Sequence, residues 1–168
     1  MRIGIISDTH GWLDPKVETY FSDCDEIWHA GDIGNLDLAE SLAKGKKLRA
    51  VYGNIDGGIQ RIDFPENHIF DIAGVRVLLT HIAGAPGKYN PRVKRLIKEF
   101  KPKLLVCGHS HILRVERDPV YDNLLYLNPG AAGVHGFHKV KTLLRIEIEQ
   151  GKITKAEAIE LGLRSKID

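Results

Sequence analysis

Two cysteines in 168 residues, Cys24 and Cys107, cannot build a disulfide framework. Both stand beside apolar residues, as small buried hydrophobes do. No apolar run approaches the ~20 residues of a membrane-spanning helix. The run Ile3 to Ile6 stops at Ser7-Asp8, too short for the centre of a secretory signal and with no cleavage region after it, so the expected location is cytoplasmic. Charge of one sign is also missing. Twenty-four Lys and Arg against 22 Asp and Glu leave a formal charge of +2, far from the basic excess of a dedicated nucleic-acid binder. The densest basic stretch, Arg92 to Lys103, reads as a solvated helix face. There is no Gly-x-Ser-x-Gly elbow and no P-loop. Repeats, low-complexity tracts and linkers are absent as well.

What is present is an ordinary globular composition, 43% hydrophobic and 27% charged, of a length that fits one domain over residues 1–168. Eight histidines and 17 glycines are unevenly placed. One theme repeats: a short apolar run ends and a polar residue of metal-ligand type follows. Ile3 to Ile6 leads to Asp8 and His10, and Ile27-Trp28 to His29 and Asp32. Ala50 to Tyr52 leads to Gly53-Asn54, Val75 to Leu79 to His81, and Leu104 to Cys107 to His109 and His111. Such runs read as buried strands.

Helices are predicted between them. Asp14-Pro15 has the form of an N-cap with proline in the first turn. Asn35 caps a helix through Ala43 that ends at Gly45. Asn90-Pro91 opens a helix whose Val93, Leu96, Ile97 and Phe100 fall on one face, with Pro102 as its stop. Alternating strands and helices imply a mainly parallel sheet in the first half. The second half reads as hairpins: Leu113 to Arg117 with Leu124 to Leu127, and Leu143 to Glu149 with Ile153 to Ile159. The expected fold class is therefore α/β, two mixed sheets packed face to face with helices outside.

Ligands of α/β sheets bind beyond the carboxyl ends of the strands. Five runs deliver Asp8, His10, Asp32, Asn54, His81, His109 and His111 to such an edge. Oxygen and imidazole donors suit a first-row transition ion. Seven are too many for one tetrahedral site and suit two ions, the recurrent arrangement for in-line displacement at phosphorus. Two divalent ions against Asp8 and Asp32 leave a positive site even with a hydroxide bound, which favours an anionic phosphate ester.

The ordered set Asp8-x-His10, Gly31-Asp32, Gly53-Asn54, His81, Gly108-His109-Ser110-His111, followed by Asn128-Pro129-Gly130, resembles the calcineurin-like metallophosphoesterases. It is most similar to their small bacterial and archaeal YfcE-type phosphodiesterase branch. The resemblance implies an αββα four-layer sandwich and a metal-dependent phosphodiesterase. Asp8, His10 and His111 would hold one ion and Asn54, His81 and His109 the other. Asp32 would bridge them with a water or hydroxide that attacks phosphorus, making Asp32, Asn54 and His81 the catalytic core. Manganese is the expected metal, with iron, nickel or zinc also compatible. The substrate would be a small phosphate ester, and homo-oligomers occur among small relatives. Two departures stand out. Many relatives place an acid-donating His where this chain has Ile55, and a second His where it has Ala83. A phosphomonoesterase or pyrophosphohydrolase is the alternative within enzymes. A protein-interaction scaffold, as in the retromer subunit of this fold, is the alternative outside them.

The remaining residues carry weaker expectations. His29 belongs to the core or supports the site, and His68 precedes a strand at the surface. Trp12, Tyr20 and Phe21 pack. Lys88 and Tyr89, in the glycine-rich loop after His81, and His135 and His138, after Asn128-Pro129-Gly130, are candidates for substrate contact. Asp56, His135 and His138 are the reserve candidates for a proton donor in place of the missing His.

Overall fold

The computed structural model describes residues 1–165. Its first sheet is built on three parallel strands, β1 (Arg2–Ile6), β2 (Glu26–His29) and β3 (Lys47–Ala50), linked through helices α1 (Lys16–Phe21) and α2 (Leu36–Leu42). Short helix α3 (Gly58–Asp63) then leads to a second sheet. That sheet contains β4 (Asn67–Ile72), β5 (Val75–Thr80), β8 (Leu104–Val106), β9 (Leu113–Asp118) and β10 (Leu124–Pro129), in the order β4-β5-β8-β10-β9. A small hairpin, β6 (Gly84–Ala85) with β7 (Lys88–Tyr89), and helix α4 (Pro91–Phe100) connect β5 to β8. The chain closes with β11 (Val140–Glu149) and β12 (Lys152–Leu163), which return to the first sheet to give β12-β11-β1-β2-β3.

Both sheets share one design: a parallel centre with antiparallel strands at the edges. In the first, β11 and β12 run antiparallel beside β1. In the second, β5, β8 and β10 are parallel, while β4 and β9 flank them antiparallel. The two predicted hairpins thus form, but they complete different sheets instead of building one of their own.

Alternation of side chains across each strand sorts the core into layers. Ile3, Ile5, Trp28, Leu144 and Ile146 of the first sheet meet Val77, Leu79, Val106 and Leu127 of the second in a central apolar layer. On the first sheet's outer face, Ile6, Ile27, Leu143 and Ile159 are covered by Val17 and Phe21 of α1 and Leu38 and Leu42 of α2. On the second sheet's outer face, Leu78, Leu105 and Tyr126 are covered by Val93 and Ile97 of α4. The result is the expected αββα sandwich. Each such fully buried aliphatic contributes roughly 1.5–3 kcal/mol. Cys24 and Cys107 are buried and free, as expected. Among the described residues no helix is long and apolar enough to cross a membrane.

The caps at Asn35 and Asn90 form as predicted, accepting from Leu38 N–H and Val93 N–H at 2.9 Å each. Helix α1 begins one residue later than its cap signal suggests. Asp14 Oδ1 accepts from Lys16 N–H at 3.0 Å, and Oδ2 is engaged at 2.8 Å by the buried Lys141 ammonium. Two expectations need correction. Strand β3 ends at Ala50, because its partner β2 ends at His29; Val51 keeps one bond to His29 O and Tyr52 turns to Pro65 O. His68 lies inside β4, half-buried with its ring 4.7 Å from that of Phe70, because β4 pairs with the whole of β5 from Asn67 onward.

Candidate metal centre

The parallel strands of both sheets end at one edge, and their loops are braced to each other there. Asp8 N–H donates to Gly31 O, His10 N–H to Asp32 O, and Gly11 N–H to Ile33 O, at 2.8–3.0 Å. Gly108 N–H donates to His81 O and Gly133 N–H to Asp8 O. Asp8, His10, Asp32, His109 and His111 all have φ between 49° and 68°. That left-handed conformation costs a residue other than glycine on the order of 1–3 kcal/mol where the surroundings impose it. Five of the seven predicted donors share it. Two glycines make room for the carboxylates: a Cβ on Gly53 would come within 2.0 Å of Asp32 Oδ1, and one on Gly108 within 2.7 Å of Asp8 Oδ2.

All seven donors converge. One oxygen, one imidazole nitrogen and another from Asp8, His10 and His111 lie within 4.8 Å of one another, as do ligand atoms of Asp8, Asp32 and His81. Asp8 Oδ1 is 3.2 Å from His111 Nε2 and 4.0 Å from His81 Nε2. Asp32 reaches both groups, with Oδ2 3.7 Å from His10 Nε2 and Oδ1 3.3 Å from His81 Nε2. Asn54 Oδ1 sits 3.0 Å from His81 Nε2 and 2.9 Å from His109 Nδ1.

The arrangement fits a cation. Asp8 Oδ1 and His10 Nε2 are buried with no hydrogen-bond partner, a cost that proteins avoid unless the atom serves something else. His81 Nδ1 lies 2.7 Å from Ala30 O. A carbonyl only accepts, so Nδ1 carries the proton and the Nε2 lone pair faces Asp8, Asp32 and Asn54. Burial opposes a charge on His81, yet the Asp32 hydrogen bond and the Asp8 and Asp32 charges together raise its pKa above the ordinary value. The pocket's field therefore attracts positive charge. Asp32 shows the reciprocal effect: burial favours its neutral form, but His81 and the Ile55 N–H hold its pKa below the usual carboxylate range.

Supporting residues complete the site. His29 is fully buried, and burial pushes its pKa down to about 4. Its Nδ1 accepts from Gly31 N–H at 3.1 Å, so Nε2 donates to Thr9 Oγ1 at 2.9 Å, and Thr9 donates on to Ile33 O at 3.0 Å. It is a neutral brace between the Asp8 and Asp32 loops. Asn128 donates to Gly108 O at 2.8 Å and to Ser110 Oγ at 3.1 Å, fixing the His109 turn. Asp56 was not foreseen in its observed role. Its buried carboxylate accepts from Ile33 N–H at 3.0 Å, Gly34 N–H at 2.9 Å and Gly53 N–H at 2.8 Å. It clamps the Asp32 loop to the Asn54 loop, with both of its oxygens occupied by backbone donors. Its one sequence signal is an Asp between Ile55 and Gly57 in a turn.

A cleft of about 430 Å³ opens over His10, Asp32, Asn54, His109 and His111. His138 lines it, donating Nε2–H to Gly133 O at 2.9 Å, and the His135 ring lies 5.9 Å from that of His10. The loop carrying both is therefore at the mouth. Lys88 and Tyr89 are placed elsewhere. Lys88 is exposed on the small hairpin, and Tyr89 is buried with its ring 5.1 Å from Tyr121 in the α4 cluster. Arg61, which sequence reasoning passed over, and Arg92, read there as part of a solvated helix face, line a smaller groove of about 190 Å³ with Asn54 and His81.

Residues 1–151 match the calcineurin-like phosphoesterase superfamily domain. A probable metallophosphoesterase of Methanocaldococcus jannaschii is 30% identical over 168 residues, covering 95% of this chain and 82% of that protein. Among solved structures, the Escherichia coli phosphoesterase YfcE superposes with a TM-score of 0.63 at 21% identity, covering 95% of this chain and all of that one. Zinc-complexed Vps29 of Entamoeba histolytica gives 0.68 at 18% identity, covering 95% and 99%.

Proposed function

The chain belongs to the calcineurin-like phosphoesterase superfamily, a family of metal-dependent phosphoester hydrolases, and from that premise we propose that it hydrolyses phosphodiesters at a two-metal centre. The observation that carries this reading is the pair of buried, partnerless ligand atoms, Asp8 Oδ1 and His10 Nε2, inside a ring of further donors. Asp8, His10 and His111 would hold one ion and Asn54, His81 and His109 the other, with one Asp32 oxygen for each. Manganese is the first candidate, with iron, nickel and zinc accepted by the same donors. When bound, two such ions supply Lewis acidity and an activated water for in-line attack on phosphorus.

The chain's own residues supply preorganisation. The His81–Ala30 bond fixes the tautomer, and Asp56, His29 and Asn128 hold the loops, so the donors need little rearrangement. With two carboxylates in the donor set, a site holding two divalent ions stays positive and draws an anionic ester. Ile55 stands where many relatives carry a proton-donating His, and its exposed side chain has no proton to give. Esters with good leaving groups are therefore favoured, since a positioned acid is worth ~10²–10⁴-fold to a poor one.

Arg61 and Arg92 beside Asn54 and His81 support one second reading, a pyrophosphohydrolase that seats a further anionic group there. Both readings are tested by one screen. Protein stripped of metal and reloaded with manganese, iron, nickel or zinc is assayed on bis-(4-nitrophenyl) phosphate, 4-nitrophenyl phosphate and a pyrophosphate. Metal-restored turnover fastest on the diester is expected. Full diesterase activity after exhaustive chelation refutes the two-metal reading, and faster pyrophosphate cleavage favours the second.

A further inference from the structure

The cleft over the donors also carries apolar side chains. Ile55 is 47% exposed, Ile112 is 64% exposed, and Phe137 is fully exposed, and all three line the same cleft as His10, Asp32, Asn54, His109 and His111. Isolated exposed apolar residues need no explanation, but three around one mouth amount to a patch of the kind that marks a binding surface. Each is on a different loop, and two of those loops carry donors. Ile55 follows Asn54 and donates its N–H to Asp32 Oδ1 at 3.0 Å. Ile112 follows His111, with its N–H on Ser110 Oγ at 3.3 Å. Phe137 follows Gly136, which packs so close to His111 that a Cβ there would come within 2.2 Å of the His111 ring. The rim is thus built on the loops that carry Asn54 and His111 and on the Gly136 turn packed against the His111 ring.

Polar groups that could read a sugar or a nucleobase are scarce in this cleft. Apart from the donor set, the polar side chains lining it among the described residues are Ser110 and His138. Ser110 Oγ already accepts from Asn128 and from Ile112 N–H and keeps one O–H to donate. His138 has given its Nε2–H to Gly133 O and keeps one acceptor, the buried Nδ1 that has no partner.

We infer that Ile55, Ile112 and Phe137 form a subsite for an apolar alkyl or aryl arm of the phosphodiester. The inference rests on the phosphodiesterase reading above and narrows it to a substrate class. With the phosphoryl group over the donors, one ester arm lies along Ile55, Ile112 and Phe137. The surface it covers leaves water together with that of the three side chains, and affinity grows with arm length. A fully buried methylene is worth roughly fourfold in affinity; in a cleft open on one side about twofold is expected. Three added methylenes then give about tenfold.

The test keeps the leaving group constant and changes the other arm: 4-nitrophenyl methyl phosphate against 4-nitrophenyl butyl phosphate, on manganese-loaded protein. Dimethyl and dibutyl phosphate, which turn over too slowly to interfere, are titrated calorimetrically in parallel. The inference expects a KM about tenfold lower for the butyl ester and a matching preference for dibutyl phosphate. It expects Ile112→Ser with Phe137→Ser to shrink both ratios to below twofold in a folded protein of unchanged metal content. A KM ratio near one with dibutyl phosphate bound no tighter than dimethyl overturns the subsite while leaving diester hydrolysis standing. If no diester turns over, the phosphodiesterase reading fails, and the calorimetric ratio alone decides whether the apolar subsite exists. If wild type sediments as a dimer that Phe137→Ser dissociates, with flat ratios, the rim is a contact between copies and the subsite is refuted.

Discussion

Asp56 offers the sharpest test of how the site is held. Its carboxylate takes three backbone N–H groups, from Ile33, Gly34 and Gly53, with two on Oδ2 and one on Oδ1. Bonds to a charged acceptor are worth about 1.5–3 kcal/mol each. Asp56→Asn can keep Ile33 and Gly53 on its one remaining oxygen, without the charge, while its amide nitrogen faces the Gly34 donor. One bond is lost and two are weakened, so a loss of about 2–4 kcal/mol is expected. Asp56→Ala strands all three donors and should cost about 3–6 kcal/mol once the loops admit some water. A domain has roughly 5–15 kcal/mol to lose, so the Asn variant should fold and is the informative one. Because the clamp joins the Asp32 loop to the Asn54 loop, metal affinity should also fall, by about 10–100-fold as for other groups that orient ligands. Urea unfolding of the metal-free protein and calorimetric metal titration measure the two effects. An Asp56→Asn protein within about 0.5 kcal/mol of wild type, with unchanged metal affinity, would refute the clamp; that margin is the usual scatter of neutral surface substitutions.

Asp32→Ala should remove or weaken both ions, whereas His109→Ala and His111→Ala should each leave one; elemental analysis of the three variants reads this directly, and two retained ions with wild-type turnover in Asp32→Ala would disprove the bridge. Ile55→His should flatten the dependence of turnover on leaving-group basicity and raise rates on poor leaving groups by up to ~10²-fold; a wild-type dependence that is already shallow means another group donates the proton. For His29, the folded pKa of about 4 lies below an unfolded value near 6.5. Its neutral form thus contributes stability that is complete above pH ~6.5 and is lost as pH falls toward 4, at most about 3 kcal/mol. Carbon-13 titration of the histidine rings in metal-free protein should show His29 neutral down to pH 5, and a midpoint near 6.5 would contradict its burial as a neutral brace.

The gathering of the seven candidate donors at one edge was legible because each follows a short apolar run, and strand ends are where a sandwich gathers its polar groups. Asp56 was not legible: an Asp flanked by Ile55 and Gly57 looks like a turn residue until the distant Ile33 and Gly34 amides are seen on it. Helix α3 went unseen because it starts at Gly57-Gly58 and leaves Ile59 and Ile62 exposed, so no apolar stripe announces it. Tyr89 looked like a loop residue because Gly84, Pro86 and Gly87 surround it. Its true partners, Tyr121 and Tyr126, lie more than thirty residues away. The assignment of each hairpin to its sheet has the same origin. Alternation fixes which face of a strand is buried, but β11 pairs with β1 across nearly the whole chain.

The backbone at the donors shows why the site's geometry is a property of the fold and not of any loop alone. Asp and His visit the left-handed region more often than other non-glycine residues, but five of them at one site, with His10, His109 and His111 at φ 49°, 68° and 59°, is an uncommon concentration. A free loop would relax these residues to negative φ and swing the imidazoles away. What opposes this is the lattice of bonds between loops. His10 N–H is tied to Asp32 O, His109 N–H to Asp8 Oδ2, and Gly108 N–H to His81 O. Each tie joins two ligand segments, and relaxing one histidine would break a buried hydrogen bond in another's support, at a cost comparable to the strain released. The carboxylate of Asp8 holds His109 through one oxygen and keeps the other, partnerless, for the centre. Strain at one donor is therefore balanced by contacts that fix the next, which is the condition for a preorganised site on short loops.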